Sequence, residues 1–433
     1  MFCLAALVLI AGLIAGCGSG SGGSSAGGGN SSPTTVSITI TGATAVATKI
    51  GSGTFSAATP DSNGKLDFSI PSGTSNFAVA YVCFGYVYGA HTQIIQFVVE
   101  ASTADTTALI EDCPNHPDLS IAPPPPPPTL TGSVDFSAFP AASPAYVVAQ
   151  NGDGDWSTSR PIPANNGSFS DSAPVGSDRV EVEVIDSHSE GPVAVRNFDN
   201  QTVPGSLNGG NTVVLGPADA TTLETITFNG VPSGYTVCGN DFRSTNSTGC
   251  QNNDISYVDY MMGGIYGFRV TGPGATQYWA LPAAAVEAGD YYRFTAVAQS
   301  SLNPNYIVRV ETTSRTGGPV SLSFPQAWSY AGPTPAALPA FDFAYPGFSN
   351  QTGPITQEAY IEWYCLGGLC DFVLSSTPNY QKGPVSFPDL SQLKGFLPAA
   401  PSGTPISWSA HIAQSSNGTT ATVQIFHGSY FVP

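Results

Sequence analysis

Charge is scarce in this chain of 433 residues: 10% are Asp, Glu, Lys or Arg, against ~25% in an ordinary soluble domain. Basic residues are scarcer still, 12 Lys and Arg against 30 Asp and Glu, for a formal net charge of −18. That balance excludes nucleic-acid binding, which needs cationic patches to displace counterions from phosphates. Apolar residues nowhere recur at a sustained i, i+3, i+4, i+7 spacing, so helices are not the building material. No apolar run reaches the ~20 residues of a typical bilayer-spanning helix. What is abundant is Gly (48) and Pro (37), beside an apolar fraction of 41%. Together these describe folded units joined by turns, short of the ~25–30% Gly plus Pro that marks low-complexity disorder. At roughly 100–150 residues per domain the length suggests three or four of them.

The opening MFCLAALVLIAGLIAGC holds an apolar run over 4–15, too short to span a bilayer and suited to a signal-peptide h-region. It ends in Leu13-Ile14-Ala15-Gly16-Cys17, which resembles the lipobox of bacterial lipoproteins. The resemblance implies removal of residues 1–16, diacylation of Cys17 and anchoring to a membrane through that lipid in the bacterial cell envelope. An ordinary secretory leader with an incidental cysteine is the plainer alternative. No Lys or Arg precedes the apolar run, a departure from the usual n-region. Gly18, rather than Asp, follows the cysteine; by the family's sorting rule this implies the outer membrane, facing the periplasm or the surface. Residues 18–34 form a Gly/Ser tether with an end-to-end span of roughly 20–25 Å. Gly23-Ser24-Ser25-Ala26-Gly27 within it matches the G-x-S-x-G nucleophile pattern by chance, since no strand precedes it and no helix follows.

Six consecutive prolines, Pro123–Pro128, impose an extended polyproline II rod about 19 Å long. They separate a first domain, 35–121, from a second, 129–220, and the two align. Asn63-Gly64 and Asn166-Gly167, Pro71 and Pro174, Gly73 and Gly176 share one offset of 103 residues. Alternating strands follow each Pro-x-Gly turn, through Phe77, Val79, Tyr81 and Cys83 in one copy and Val180, Val182 and Val184 in the other. Period two after turn residues reads as a half-buried antiparallel strand. The stretch DSNGKLDFSIPSGTSNFAVAYVCFGY (61–86) resembles carboxypeptidase-regulatory-like (transthyretin-like) β-sandwich modules, and residues 165–186 resemble them more weakly. The resemblance implies accessory or adhesive modules. Strands near 225–228, 291–298 and 306–311, with a break at Gly317-Gly318-Pro319, divide the remainder into 221–316 and 317–433, unless 221–433 is one unit. The expected architecture is all-β: three to four tandem antiparallel β-sandwiches behind a leader (1–17), a tether (18–34) and a polyproline linker (122–128).

Cys3 leaves with the leader and Cys17 takes lipid, so six cysteines are left: Cys83, Cys113, Cys238, Cys250, Cys365 and Cys370. Six pair in fifteen ways, and export to an oxidising compartment favours disulfides over a zinc site. In AYIEWYCLGGLCDFVLSS a two-residue turn at Gly367-Gly368 sets Cys365 opposite Cys370, within disulfide reach. Ile361, Trp363, Phe372 and Leu374 then line one core face. Cys238–Cys250 and Cys83–Cys113 follow by proximity along the chain.

The search for chemistry yields few candidates. Asn151, Asp153 and Asp155 alternate oxygen side chains like the start of a calcium loop, but Trp156 and Ile162 occupy the positions an EF-hand gives to Gly and Glu. An acidic hairpin turn is the favoured reading of them, which leaves no metal site. The histidines, His91, His116, His188, His411 and His427, are scattered. A hairpin about Asn417-Gly418 sets His427 on the Trp408 face and His411 on the other. Glu358 and Glu362 share one strand face but lie about 13 Å apart, beyond the ~5–9.5 Å of glycosidase pairs. Tyr360, Glu362 and Tyr364 line the face opposite Trp363, an aromatic-plus-acid strip suited to sugar rings or a protein partner, although Tyr also simply favours strands. The expected function is therefore a lipid-anchored, non-enzymatic envelope protein displaying binding or adhesion modules for a glycan or protein ligand, with no cofactor. The alternatives are a hydrolase with its site in 221–433, the repeats acting as spacers, and an envelope scaffolding component.

Overall fold

The computed structural model describes residues 33–433, apart from 88–90, 114–127, 140–143, 151–155, 164–166, 175–178, 186–190, 200, 240–249, 251–254, 263–264, 273–275, 327–329, 331, 344–354, 366–367, 378–383 and 417–419. Cys17, Asn151, Asp153, Asp155, His116 and His188 lie outside the described residues. The protein is all-β, with short 3₁₀ turns between strands, and among the described residues no sheet closes into a barrel.

One strand order recurs four times. In the first module Thr34–Thr41 runs antiparallel to Lys65–Ile70 and parallel to Ala108–Asp112. Its facing sheet has the order Ser56–Ala58, Ala45–Ile50, Asn76–Val87, His91–Ser102. In the second, Thr129–Asp135 pairs antiparallel with Ser168–Ser172 and parallel with Gly205–Ser206 and Val213–Val214. Its facing order is Trp156–Thr158, Ala145–Gln150, Arg179–Ile185, Pro192–Asp199. The third repeats this with Thr222–Asn229 between Gln277–Ala280 and Val320–Ser323. Ile265–Arg269, Tyr257–Met262, Tyr291–Ser300 and Tyr306–Ser314 face it. The fourth has Ala340–Asp342 on Pro384–Ser386, with Gly368–Ser376, Ile355–Cys365, Pro405–Ser416 and Thr420–Phe431 as the four-strand partner. The third module's closing strand, Val320–Ser323, thus lies beyond the Gly317–Pro319 break that the sequence offers as a boundary.

The repeated Asn-Gly has a steric origin. A Cβ on Gly64 would sit 2.4 Å from the Ile40 carbonyl oxygen, and one on Gly167 would sit 1.9 Å from that of Val134. At both turns the glycine carbonyl accepts a hydrogen bond from the same neighbouring residue, Ile40 N–H at 2.9 Å and Val134 N–H at 2.7 Å. Any side chain would push the first strand off its antiparallel partner.

Three of the modules are fused rather than strung. Tyr306–Thr312 pairs antiparallel with Thr420–Phe426, joining the third module to the fourth. Leu369–Ser376 runs parallel to Gln93–Glu100, joining the fourth to the first. The result is a single 13-stranded sheet. The first module's small sheet lies on one side of it, over Phe77, Val79, Tyr81 and Cys83. The fourth module's core lies on the other side, and Ala80, Val82 and Val98 belong to it together with Leu390, Phe396 and Leu397. The expected half-buried strand through Phe77 and Cys83 is therefore buried on both faces, because a neighbouring module covers the face that alternation assigns to water.

The second module docks by its outer sheet face. Val148 and Val195 join the third module's core. Arg179 forms a two-pronged ion pair with Asp290, at 2.7 and 2.8 Å, and Tyr260 donates to the same carboxylate at 2.5 Å. Glu181 and Glu183 are buried beside this pair, and neither Glu181 oxygen has a hydrogen-bond partner. Burial pushes the Glu183 carboxyl up to about 8; burial, and then the Glu183 charge, push Glu181 well above the carboxylate range. A carboxyl raised on folding stabilises fully below its unfolded value, and that contribution is lost as pH climbs through its folded value. We therefore expect the melting temperature of the full chain to fall between about pH 5 and 8, and Glu183→Gln to flatten that fall. A wild-type profile already flat over this window would contradict the assignment.

Candidate functional site

All three disulfides are closed: Cys83–Cys113, Cys238–Cys250 and Cys365–Cys370, with Cα separations of 5.3, 5.5 and 5.7 Å. The expected register at the third is off by two residues. Cys365 faces Gly368, and Cys370 faces Trp363, so the bridge runs diagonally between positions on one face. The slip preserves which residues share a side, and Ile361, Trp363, Phe372 and Leu374 do form one core face.

The slip matters on the opposite face, because it brings Asp371 directly across from Glu362. A second slip matters more. The C-terminal hairpin pairs Ser409 with His427 and Trp408 with Gly428, one residue away from the expected pairing. His427 therefore leaves the Trp408 face and joins His411, their rings 6.3 Å apart. The reading that the two histidines lie on opposite faces is corrected by this register. Gly428 is what Trp408 packs on: a Cβ there would meet the indole at 2.5 Å, so no larger residue fits at that position.

The face opposite the fourth module's core can be read as rows across its strands. Residues Glu358, His411 and Ile425 form one row, and Tyr360, Ser409 and His427 the next. Asp371, Glu362, Ser407 and Ser429 form a third. Two residues beyond Glu362 lies Tyr364, opposite Leu369, and two beyond Ser407 lies Pro405, which opposes Phe431. Burial changes steeply along this direction. Glu358 and His411 are buried, Tyr360, Glu362 and His427 are half-buried, and Ser407, Ser429 and Pro405 are exposed. Tyr364 and Phe431 are 75% and 71% exposed. At the buried end the Cys238–Cys250 bridge packs on Ile307, Val423 and Ile425. On the flank, Val373 packs against the first module's core.

Of the expected strip, only Tyr364 offers a free ring. The Tyr360 hydroxyl donates to Glu362 Oε2 at 2.9 Å. Burial, then the charges of Asp371 and Glu362, push its pKa far up. Asp371 accepts from the Gln93 amide. Burial raises its carboxyl to about 7 against that hydrogen bond, and Oδ1 has no hydrogen-bond partner. His411 Nδ1 lies 3.3 Å from Glu358 Oε1, while His411 Nε2 has no hydrogen-bond partner. A serine hydrolase requires a hydroxyl on that nitrogen, so the neighbouring Ser409 is not placed as a nucleophile. Among the described residues no three His, Cys, Asp or Glu side chains converge as metal ligands.

The sequence reading missed Asp371, Pro405 and Phe431 as residues of this face. The C-terminal slip hid Phe431, since the expected pairing turns it toward the core, whereas Asp371 and Pro405 lie on this face in either register. Their only sequence signal was parity within each strand, which a one-residue change in loop length inverts.

No family model and no curated protein matches the chain. Among solved structures, it is similar to the Bacillus anthracis TIE protein at 11% identity and TM-score 0.14, covering 93% of this chain and 66% of that one. It is also similar to native E. coli alpha-2-macroglobulin at 9% identity and TM-score 0.14, covering 90% of this chain and 26% of that one. Likenesses this slight bear on neither fold nor function.

His427 supplies a direct check on the register. Burial, then the neighbouring His411, lower its pKa to about 4. In a histidine-edited NMR titration its ring should stay neutral from pH 8 to pH 5; an ordinary midpoint near 6.5 would contradict its placement beside His411.

Proposed function

We propose that the protein is a non-enzymatic, lipid-anchored display protein of the bacterial outer membrane, and that the face running from Tyr360 to Tyr364 and Phe431 is its ligand surface. The observation that carries this reading is the exposed aromatic end of an otherwise ordered and polar sheet face. Tyr364 and Phe431 stand out in water beside Pro405, where a folded monomer has no internal use for them. The three disulfides belong to an oxidising compartment outside the cytosol. No helix among the described residues is long and apolar enough to cross a membrane. The Leu13–Cys17 lipobox and the Gly/Ser tether behind it supply an anchor and a spacer. The likeness of residues 61–86 to carboxypeptidase-regulatory-like modules supports an accessory, adhesive role.

The anchor is testable in a Gram-negative host fed radiolabelled palmitate. Wild-type chain should carry label and fractionate with the outer membrane, and Cys17→Ser should be unlabelled. An unlabelled, freely soluble wild-type chain would overturn the anchor.

A further inference from the structure

Resting on that reading of the face, we infer that the Tyr364–Pro405–Phe431 row is a platform for an extended, uncharged polysaccharide. Tyr364 and Phe431 lie on strands two places apart in the sheet, with Pro405 between them. That spacing is about 10 Å, so one extended chain reaches both rings. A sugar ring presents an apolar C–H face edged by hydroxyls, and the platform offers the complement of both. The exposed rings supply flat apolar area. The adjoining row supplies Glu362 as an acceptor and Ser407 and Ser429 as small hydroxyls, which suit a donor-rich ligand.

Charge removes one class of competitor. The strands His91–Ser102, Ile355–Cys365, Gly368–Ser376, Pro405–Ser416 and Thr420–Phe431 contain no Lys or Arg. Sulfated or phosphorylated polymers would meet Glu362 with no compensating cation. Topology disfavours another. These strands lie inside the 13-stranded sheet, paired on both sides, so a peptide has no free edge on which to add a strand. What is left to a ligand is the flat face itself, and sugar stacking uses only a face.

The test is affinity gel electrophoresis of the full chain in detergent, with xylan, mannan, laminarin and soluble chitin as neutral probes and dextran sulfate as the anionic control. At least one neutral polysaccharide should retard the protein and dextran sulfate should not. Tyr364→Ala and Phe431→Ala should each weaken retardation about tenfold with the thermal melt unchanged, as both side chains are exposed. Retardation by none of the four neutral polymers would overturn the inference, as would undiminished binding by the double variant or equal retardation by dextran sulfate. Capture of basic peptides from a synthetic array, lost in the same variants and without glycan binding, would replace the polysaccharide with a protein ligand. None of these outcomes alters the palmitate result, so failure of the glycan and failure of the anchor are separable.

Discussion

Edge-to-edge strand pairing is the constraint on which the rest of the molecule depends. Each module ends in exposed strand edges, and an unpaired edge is a liability in any β protein. Here four such edges are used up internally, two at the Tyr306–Thr312 to Thr420–Phe426 ladder and two at the parallel Leu369–Ser376 to Gln93–Glu100 ladder. The parallel junction joins segments almost three hundred residues apart in sequence. It also explains why Ala78, Ala80 and Val82 are as fully buried as the Phe77–Cys83 set: the shared sheet has a core on each side at that point.

Fusion determines which sheet face is left open. The first module's small sheet covers one side of the common sheet, and the third and fourth modules build their cores on the other. The fourth module's back face is consequently bordered on one flank by the first module. At its far end it is closed by the Cys238–Cys250 bridge. Glu358, His411, Tyr360 and Asp371 fill the covered part with paired and half-paired polar groups. The open end carries Tyr364, Pro405 and Phe431. The polar part orders the strands beneath the platform and the aromatic part faces solvent.

Much of the class was legible in residues. Period-two alternation, turn glycines and the absence of helical spacing gave an all-β chain, and the 103-residue offset exposed two copies of a unit that the backbone repeats four times. The third and fourth copies escaped because neither carries both landmarks at the positions of the first two, although Pro401-Ser402-Gly403 precedes Pro405–Ser416 as Pro71-Ser72-Gly73 precedes Asn76–Val87. Core parity at Ile361, Trp363, Phe372 and Leu374 was also readable. What could not be read was loop length at the two late hairpins: a shift of one position moved His427 to the His411 face and Phe431 to the solvent. Fusion of the modules was equally hidden, because a strand buried on both faces by distant segments shows no trace of its neighbours in local sequence.

Native-state hydrogen exchange on the intact chain tests the fused sheet most directly. Amides of Gly368–Ser376 and His91–Ser102 that bond across the parallel junction should be protected nearly to the level of the fourth module's central strands, since opening them requires parting two modules. Rapid exchange along that junction, with protection confined to each module's interior, would show tandem modules that do not share a sheet and would contradict the account.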